Sequence, residues 1–343
     1  MINLDKLVRK NIKNLKPYSS AREEYQGNAS AFLDANENPF NAPYNRYPDP
    51  LQHKLKAKIG KIKHVHEENI FLGNGSDEPI DLLIRAFCEP SIDNIVAIDP
   101  TYGMYQVAAD INNVEYRKVL LTDNFELKAS DLLKTVDNSS KLIFLCSPNN
   151  PTGNCFEESE IIKVLSGFQG IVILDEAYLD FSGKKGFISR LNEYPNLVIL
   201  QTFSKAWGLA SIRLGIALAS RQIITILNKI KYPYNVNYLT QELALKALDK
   251  EGIKDEWIQY ILTNKKLLIQ KLENVRIVKK VYPSDANFFL IKVEEPNNVY
   301  EYLIENKIIV RNRSSVSLCG GCLRITVGTQ EENDLLIKAL KKF

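Results

Sequence analysis

The sequence predicts an α/β protein, with a large domain on a mostly parallel central sheet flanked by helices and a smaller α+β domain behind it. Three observations predict it. Between about residues 70 and 220, short β-branched or leucine-rich runs each end abruptly in polar residues, and helix-like segments lie between or after them. The runs are continuously apolar rather than alternating, which is the pattern of strands buried on both faces of a parallel sheet. After residue 235 the pattern changes to a long helical stretch and then two strand-like pieces with a helix between them. A chain of 343 residues is also too long for one small core and suits about two domains.

Taken in order, residues 1–30 are polar and irregular and read as an arm, expected to pack with the smaller domain. The large domain is expected over 31–234, with strands at NIFL, NIVAI, KLIFLC, IVIL and LVIL. Helices are expected at EPIDLLIRAF, at ESEIIKVLSGF and in the part after Lys205. The small domain, 235–343, opens with a long helical reading from Leu239 to Leu272. Strands at ANFFLIKV and CLRITVG follow, with the helix-like NVYEYLIENK between them. In parallel sheets ligands sit outside the carboxyl ends of the strands. The five run ends, GNGSDE, DPTYG, SPNNPTG, DEAY and TFSK, would then share one edge.

Composition narrows the classes. The chain is 45% hydrophobic and 25% charged, as in ordinary globular proteins, and its net charge of +3 is spread along the chain. Nucleic acid and anionic membrane are therefore not expected partners. No apolar run approaches the roughly 18 residues of a membrane span, and the start lacks a secretory apolar core. Five cysteines, an odd number, fit a reducing cytoplasm better than a disulfide framework. Cys319 and Cys322 form a C-x-x-C, but no second pair and no nearby histidine accompany it, so no metal is expected there. Nor is one expected at His53, His64 and His66, which lack a ligand-spaced carboxylate motif.

The chemistry centres on QTFSKAWGLASIRLG, residues 201–215. A lysine at a pocket edge, once deprotonated in a dry or cationic site, can form a Schiff base with a carbonyl compound. The commonest cofactor that uses this is pyridoxal phosphate (PLP), whose ring nitrogen needs an acidic partner. Asp175, at the end of IVIL, suits that role and equally suits a helix cap. Ser76 follows Gly73-Asn74-Gly75 and precedes a helix, so backbone N–H groups there could hold an anion. Asp77 and Glu78 oppose such an anion and would have to turn away or cap the helix. Thr202, Ser204 and Arg213 could complete the cup, Arg213 with charge-assisted bonds.

TFSKAWGLASIRLG resembles the lysine segment of the fold-type-I PLP enzymes, the aspartate aminotransferase superfamily, with SPNNPTG and DEAY in the required order. DANENPF, NRYPDP, GNGSDEPIDLLIRAFCEP, PTYGMY and GCLRITVG narrow the resemblance to the histidinol-phosphate aminotransferase family, from about Tyr18 to Gly328. The resemblance implies PLP-dependent amino transfer between histidinol phosphate and 2-oxoglutarate, by a homodimer with shared active sites. It implies that Lys205 carries the cofactor and shuttles the proton, that Asp175 pairs with the ring nitrogen, and that Tyr178 and Asn150 bond the ring's 3′-oxygen. Tyr102 would stack on the ring; Ser76, Asp77, Thr202, Ser204 and Arg213 would hold the phosphate, joined by Tyr47 from the other subunit. Arg324 would bind the anionic end of the substrate, with Arg311, Tyr18 and Asn36 nearby.

Against these stand plainer readings. Tyr47 and Tyr102 are two of 16 tyrosines, and Arg311 could be a surface residue. Arg324 lies within an apolar strand pattern, where an unpaired charge would be costly. The chain departs from the commoner family form at Trp207 and Ser211, neither a reacting group. Rival readings are a PLP-dependent decarboxylase of a phosphorylated amino acid and an aromatic aminotransferase on the same fold. A nicotinamide-dependent dehydrogenase fails because no G-x-G-x-x-G follows the first strand. A PLP-binding transcription regulator would need a DNA-binding module, for which residues before 30 leave no room.

Overall fold

The computed structural model describes residues 4–18 and 29–343. Seven strands form the large sheet: β1 (Ile70–Asn74), β2 (Asn94–Asp99), β3 (Glu115–Leu120), β4 (Ser140–Cys146), β5 (Ile171–Asp175), β6 (Leu197–Thr202) and β7 (Leu214–Ala219). Their spatial order is β1-β7-β6-β5-β4-β2-β3. Strands β2 to β6 pair in parallel, while β7 runs antiparallel to both β1 and β6. Strand β1 therefore points the same way as the parallel set. The carboxyl ends of β1, β2, β4, β5 and β6 share one edge, as the run ends required.

Side chains alternate across this sheet with the period of two that a strand imposes. Val96, Ile143, Val172 and Ile199 face one core layer; Ile95, Phe144, Ile173 and Val198 face the other. Both faces are closed by helices. On the first lie His53–Lys63, Ala129–Thr135 and Glu158–Gly167; on the second lie Asp77–Phe87, Met104–Ile111 and Arg221–Ile230. Each fully buried branched residue contributes about 1.5–3 kcal/mol of transfer free energy, which is why these runs tolerate no polar interruption.

The second sheet is antiparallel, with β8 (Val278–Val281), β9 (Phe288–Val293), β10 (Arg311–Asn312) and β11 (Cys322–Thr326) in the order β10-β11-β9-β8. On one face Phe289, Ile291, Leu323 and Ile325 meet Leu268, Leu272, Leu336 and Leu340 from the helices Glu251–Glu273 and Gln330–Lys342. Leu290 and Cys322, of opposite parity, join the first core layer of the large sheet. The face opposite the helices thus turns toward the large sheet. A loop contact fixes the approach: Asp285 N–H donates to Gly153 O at 2.7 Å, and Cys155 N–H donates to Asp285 Oδ2 at 2.7 Å. Gly153 has φ +85°, and a Cβ there would come within 2.4 Å of Ser284 Oγ, so the NPTG turn needs its glycine to dock.

Four expectations change. The segment after Lys205 is not a helix but a turn, a short 3₁₀ segment at Ala210–Ile212 and then strand β7. The long helical reading divides into Tyr238–Leu248 and Glu251–Glu273. Ala244 and Leu248 pack into the large sheet's core, so a division drawn by packing falls after Leu248 rather than at 234. Residues 4–13 of the arm pack on the large domain rather than on the small sheet. Leu4 enters the large sheet's second core layer, Arg9 N–H donates to Ala86 O at 3.0 Å, and the Arg9 guanidinium pairs with Glu89 at 3.1 Å. Residues 19–28 of the expected arm lie outside the described residues.

Candidate active site

Ser76, Asp77, Tyr102, Asn150, Asp175, Tyr178, Thr202, Ser204, Lys205 and Arg213 line one cavity of about 130 Å³ at the shared strand edge. All five run ends contribute. Asp175 is the last residue of β5 and is buried, only 3% exposed. Its Oδ2 accepts from Tyr105 Oη at 2.7 Å and its Oδ1 from Ala177 N–H at 3.0 Å. Burial pushes its carboxyl up to about 6, against the pull of those two bonds. Tyr105 was quoted within PTYGMY but not singled out; fully buried, it stacks on Phe144 at 4.7 Å and holds the carboxylate. Nothing marks its hydroxyl as a partner of Asp175 before β2 and β5 are placed in one sheet.

Lys205 sits in the turn that leaves β6, where Gly208 N–H donates to Lys205 O at 3.1 Å. Its Nζ lies 5.6 Å from the centre of the Tyr178 ring. The side chain reaches solvent at the cavity mouth in this single chain, yet partial burial lowers its ammonium below the ordinary lysine value, as do the nearby Arg324 and Arg213 guanidinium groups. A lysine so placed releases its proton more readily than one on an open surface.

The anion seat lies between β1 and β7. Gly75, at φ +71°, donates its N–H to Arg213 O at 2.7 Å, and Arg213 itself adopts φ +53°, a conformation costing a non-glycine residue about 1–3 kcal/mol. At Gly215 a Cβ would fall 2.3 Å from Ser76 N, so only glycine lets β7 approach the start of the Asp77–Phe87 helix. Thr202 Oγ1 accepts from Ser204 N–H at 3.0 Å, which orders the hydroxyls of this side. The two acidic residues resolve differently. Glu78 turns away, taking N–H groups from Asn74 and Asn235. Asp77 stays at the edge, accepting from Tyr102 Oη at 3.1 Å and pairing with Arg213 at 3.3 Å.

Beyond Lys205, Asn150 Nδ2 donates to Tyr178 Oη at 3.4 Å, and Arg324 Nη1 donates to Asn150 Oδ1 at 2.5 Å. The Arg324 guanidinium lies 5.2 Å from the Phe288 ring centre, and its Nε is buried with no hydrogen-bond partner. Arg311 is directly opposite Arg324 in the β10–β11 ladder. Neither Arg311 nor Arg324 is among the residues lining the cavity, and neither are Tyr18, Asn36 and Tyr47; Arg324 reaches its wall through Asn150. Tyr18 is 71% exposed; Asn36 and Tyr47 share a separate hollow with Tyr44 and Tyr238, and Tyr47 stacks on Tyr234 at 4.5 Å.

These donors fit a phosphorylated pyridine aldehyde. Glycine backbone, hydroxyls and one guanidinium could seat an anion, and a buried carboxylate and a lysine with a weakened hold on its proton line the same cavity. The fold is that of a class I and II aminotransferase, and residues 23–340 match that family, described as aminotransferase class I and II. The chain is 60% identical over its whole length to the histidinol-phosphate aminotransferase of Bacteroides fragilis (strain YCH46), covering 100% of each chain. It is 57% identical to that of Parabacteroides distasonis, covering 99% of each. The solved histidinol-phosphate aminotransferase of Sinorhizobium meliloti, in complex with pyridoxal-5'-phosphate, superposes with a TM-score of 0.80 at 22% identity, over 90% of this chain and 89% of that one. This chain belongs to the histidinol-phosphate aminotransferase family.

Proposed function

We propose that the protein moves an amino group between L-histidinol phosphate and 2-oxoglutarate, giving imidazole acetol phosphate and L-glutamate, as a step of histidine biosynthesis. The observation that carries this is one cavity bringing Lys205, Asp175 and an anion seat together, with the Arg324 guanidinium bonded to its wall at Asn150. Pyridoxal 5'-phosphate, when bound, supplies the electron sink that lets a hydrogen leave the substrate's α-carbon as a proton. The Lys205 amine would hold that proton and pass it between the substrate's α-carbon and the cofactor's aldehyde carbon, across the intervening nitrogen. The Asp175 carboxylate, fixed by Tyr105 and Ala177, would pair with the ring nitrogen and favour its protonated form. Tyr178 and Asn150 hold the ring oxygen, and Tyr102 covers the ring. Ser76, Asp77 through its backbone, Thr202, Ser204 and Arg213 hold the cofactor's phosphate, with Arg213 released from Asp77 to do so.

Arg324 and Arg311 take the anionic end of each substrate in turn, since an arginine fork suits both a phosphate and a carboxylate. The protein acts as a homodimer in which Tyr47 serves the neighbouring copy's cavity, which accounts for its place outside the cavity of its own chain. Tyr18 and Asn36 stand with Tyr47 in this reading. All five cysteines are free thiols, which suits work in the cytoplasm, and no helix among the described residues is long and apolar enough to cross a membrane.

A two-substrate assay tests the reaction. Histidinol phosphate and 2-oxoglutarate should yield glutamate, and release of carbon dioxide from a phosphorylated amino acid in its place would point to the decarboxylase. Mixing tests the dimer. Tyr47→Phe and Lys205→Ala chains, each weak alone, should recover activity in verified heterodimers, which carry one unaltered site; no recovery would mean that each site is built within one chain.

A further inference from the structure

Arg313 lies outside every role assigned above, and its surroundings are unusual for a loop arginine. The β10–β11 ladder pairs Arg311 with Arg324 and Asn312 with Leu323, and Arg313 N–H continues it by donating to Cys322 O at 2.9 Å. By the two-residue period of a strand, Arg311, Arg313 and Arg324 share one face of the sheet. It is the face whose Leu290 and Cys322 pack against the large sheet. Like charges placed opposite one another in this way destabilise a sheet unless something neutralises them. No carboxylate does so: among the described residues none of the three arginines forms an ion pair, and Arg311 and Arg313 donate no side-chain hydrogen bond. Arg313 Nε is buried without a partner, as is Arg324 Nε. The two buried donors call for an acceptor that the described residues do not supply. Burial, together with Arg324 and Arg311, lowers the Arg313 guanidinium, while Tyr178, which lines the Lys205 cavity, favours its charge.

We propose that Arg313 is a third guanidinium of the substrate site, which selects a dianionic phosphate monoester over a substrate whose anionic end is a carboxylate. The inference rests on the assignment of Arg324 and Arg311 to that end. A carboxylate carries one charge and two oxygens, which a single arginine fork satisfies. A phosphate monoester carries up to two charges and three free oxygens, and so has use for further donors.

The test uses the cofactor-loaded protein, as wild type, Arg313→Gln and Arg313→Lys, each checked for native circular dichroism. Stopped-flow spectroscopy follows the half-reactions with histidinol phosphate and with glutamate, and inorganic phosphate serves as inhibitor of the glutamate half. For Arg313→Gln, kcat/KM with histidinol phosphate should fall roughly tenfold, mostly through KM, while the glutamate half stays within about twofold. Inhibition by inorganic phosphate should weaken to a similar degree, and Arg313→Lys should recover part of both. Equal losses in the two halves, or no loss together with unchanged phosphate inhibition, would overturn the proposal. If the wild type reacted with glutamate but not with histidinol phosphate, the substrate assignment would fail, and the inorganic phosphate measurement would still decide the role of Arg313.

Discussion

The two ends of the site treat charge in opposite ways. At the strand edge of the large sheet, protein groups answer both carboxylates of the cavity: Asp175 has Tyr105 and Ala177, and Asp77 has Tyr102 and Arg213. At the β10–β11 edge, Arg311 and Arg324 face each other, and among the described residues neither pairs with a carboxylate and the Arg324 guanidinium has only a neutral amide oxygen. An end that keeps its occupant through every turnover can be built nearly complete. On the function proposed above, two different anions would pass through the other end, which therefore leaves its charge unmatched, and the fold bears that cost in unpaired donors of about 1–3 kcal/mol each.

The largest effect is expected at the strand edge. Lys205→Ala should lower amino transfer by about 10³-fold or more and abolish attachment of the cofactor on borohydride reduction, read by peptide mass spectrometry. Labelling at another lysine would break the assignment. Next comes Asp175→Asn, which keeps the shape and removes the charge. It should reduce kcat about 10²- to 10³-fold with the fold retained. A loss smaller than tenfold would show that the Tyr105–Asp175 pair only packs, and the contrast between the two ends would lose one side.

These strand-edge residues were also the legible ones. The five apolar runs became five strands because burial on both faces leaves no polar position to blur the signal. Strand β3, EYRKVL, was not read because it is the edge strand and exposes most of its residues. Strand β7, LGIALA, passed for part of a helix because its alanines and leucines suit one, and only pairing between β1 and β6 makes it a strand. Strands β8 and β10 are too short to show a period. At the other end of the site Arg311 and Arg324 came from the resemblance, with Arg324 marked as well by its apolar strand pattern, whereas nothing in the sequence singles out Arg313, in a serine-rich stretch, and only the ladder register puts it on their face. Tyr18, Asn36 and Tyr47 came from resemblance alone, and one chain does not bring them to the cavity.

The smallest effect concerns Glu176, next to Asp175 but on the other side of β5. Burial pushes its carboxyl up to about 7, although it accepts from Phe187 N–H at 2.8 Å and Gln201 Nε2 at 3.0 Å. Between the ordinary value of 4.5 and about 7, the folded chain holds a proton that the unfolded chain has released. The associated stability is complete below the lower value and is lost as pH rises through the upper one. Glu176→Gln should remove this part of the pH dependence, because its amide can donate to Gln201 Oε1, now buried without a partner, once the Gln201 amide turns over. Thermal melts from pH 4.5 to 7.5 should show the wild type losing a few degrees relative to the variant, on the order expected for a shift of this size. Parallel profiles would mean that Glu176 is charged in the folded chain throughout.

The contrast between a completed end and an open end is tested most directly by timing the two half-reactions separately. Stopped-flow traces of the cofactor's absorbance would be collected for wild type, Arg324→Ala and Arg311→Ala, with histidinol phosphate and with glutamate. Arg324→Ala should slow both halves roughly ten- to a hundredfold, the loss of a charge-assisted contact that both anions use. Arg311→Ala should slow the histidinol-phosphate half several-fold more than the glutamate half. Equal and small effects from both variants, in both halves, would contradict the account: the unmatched arginines would then not be where the substrates' anions bind.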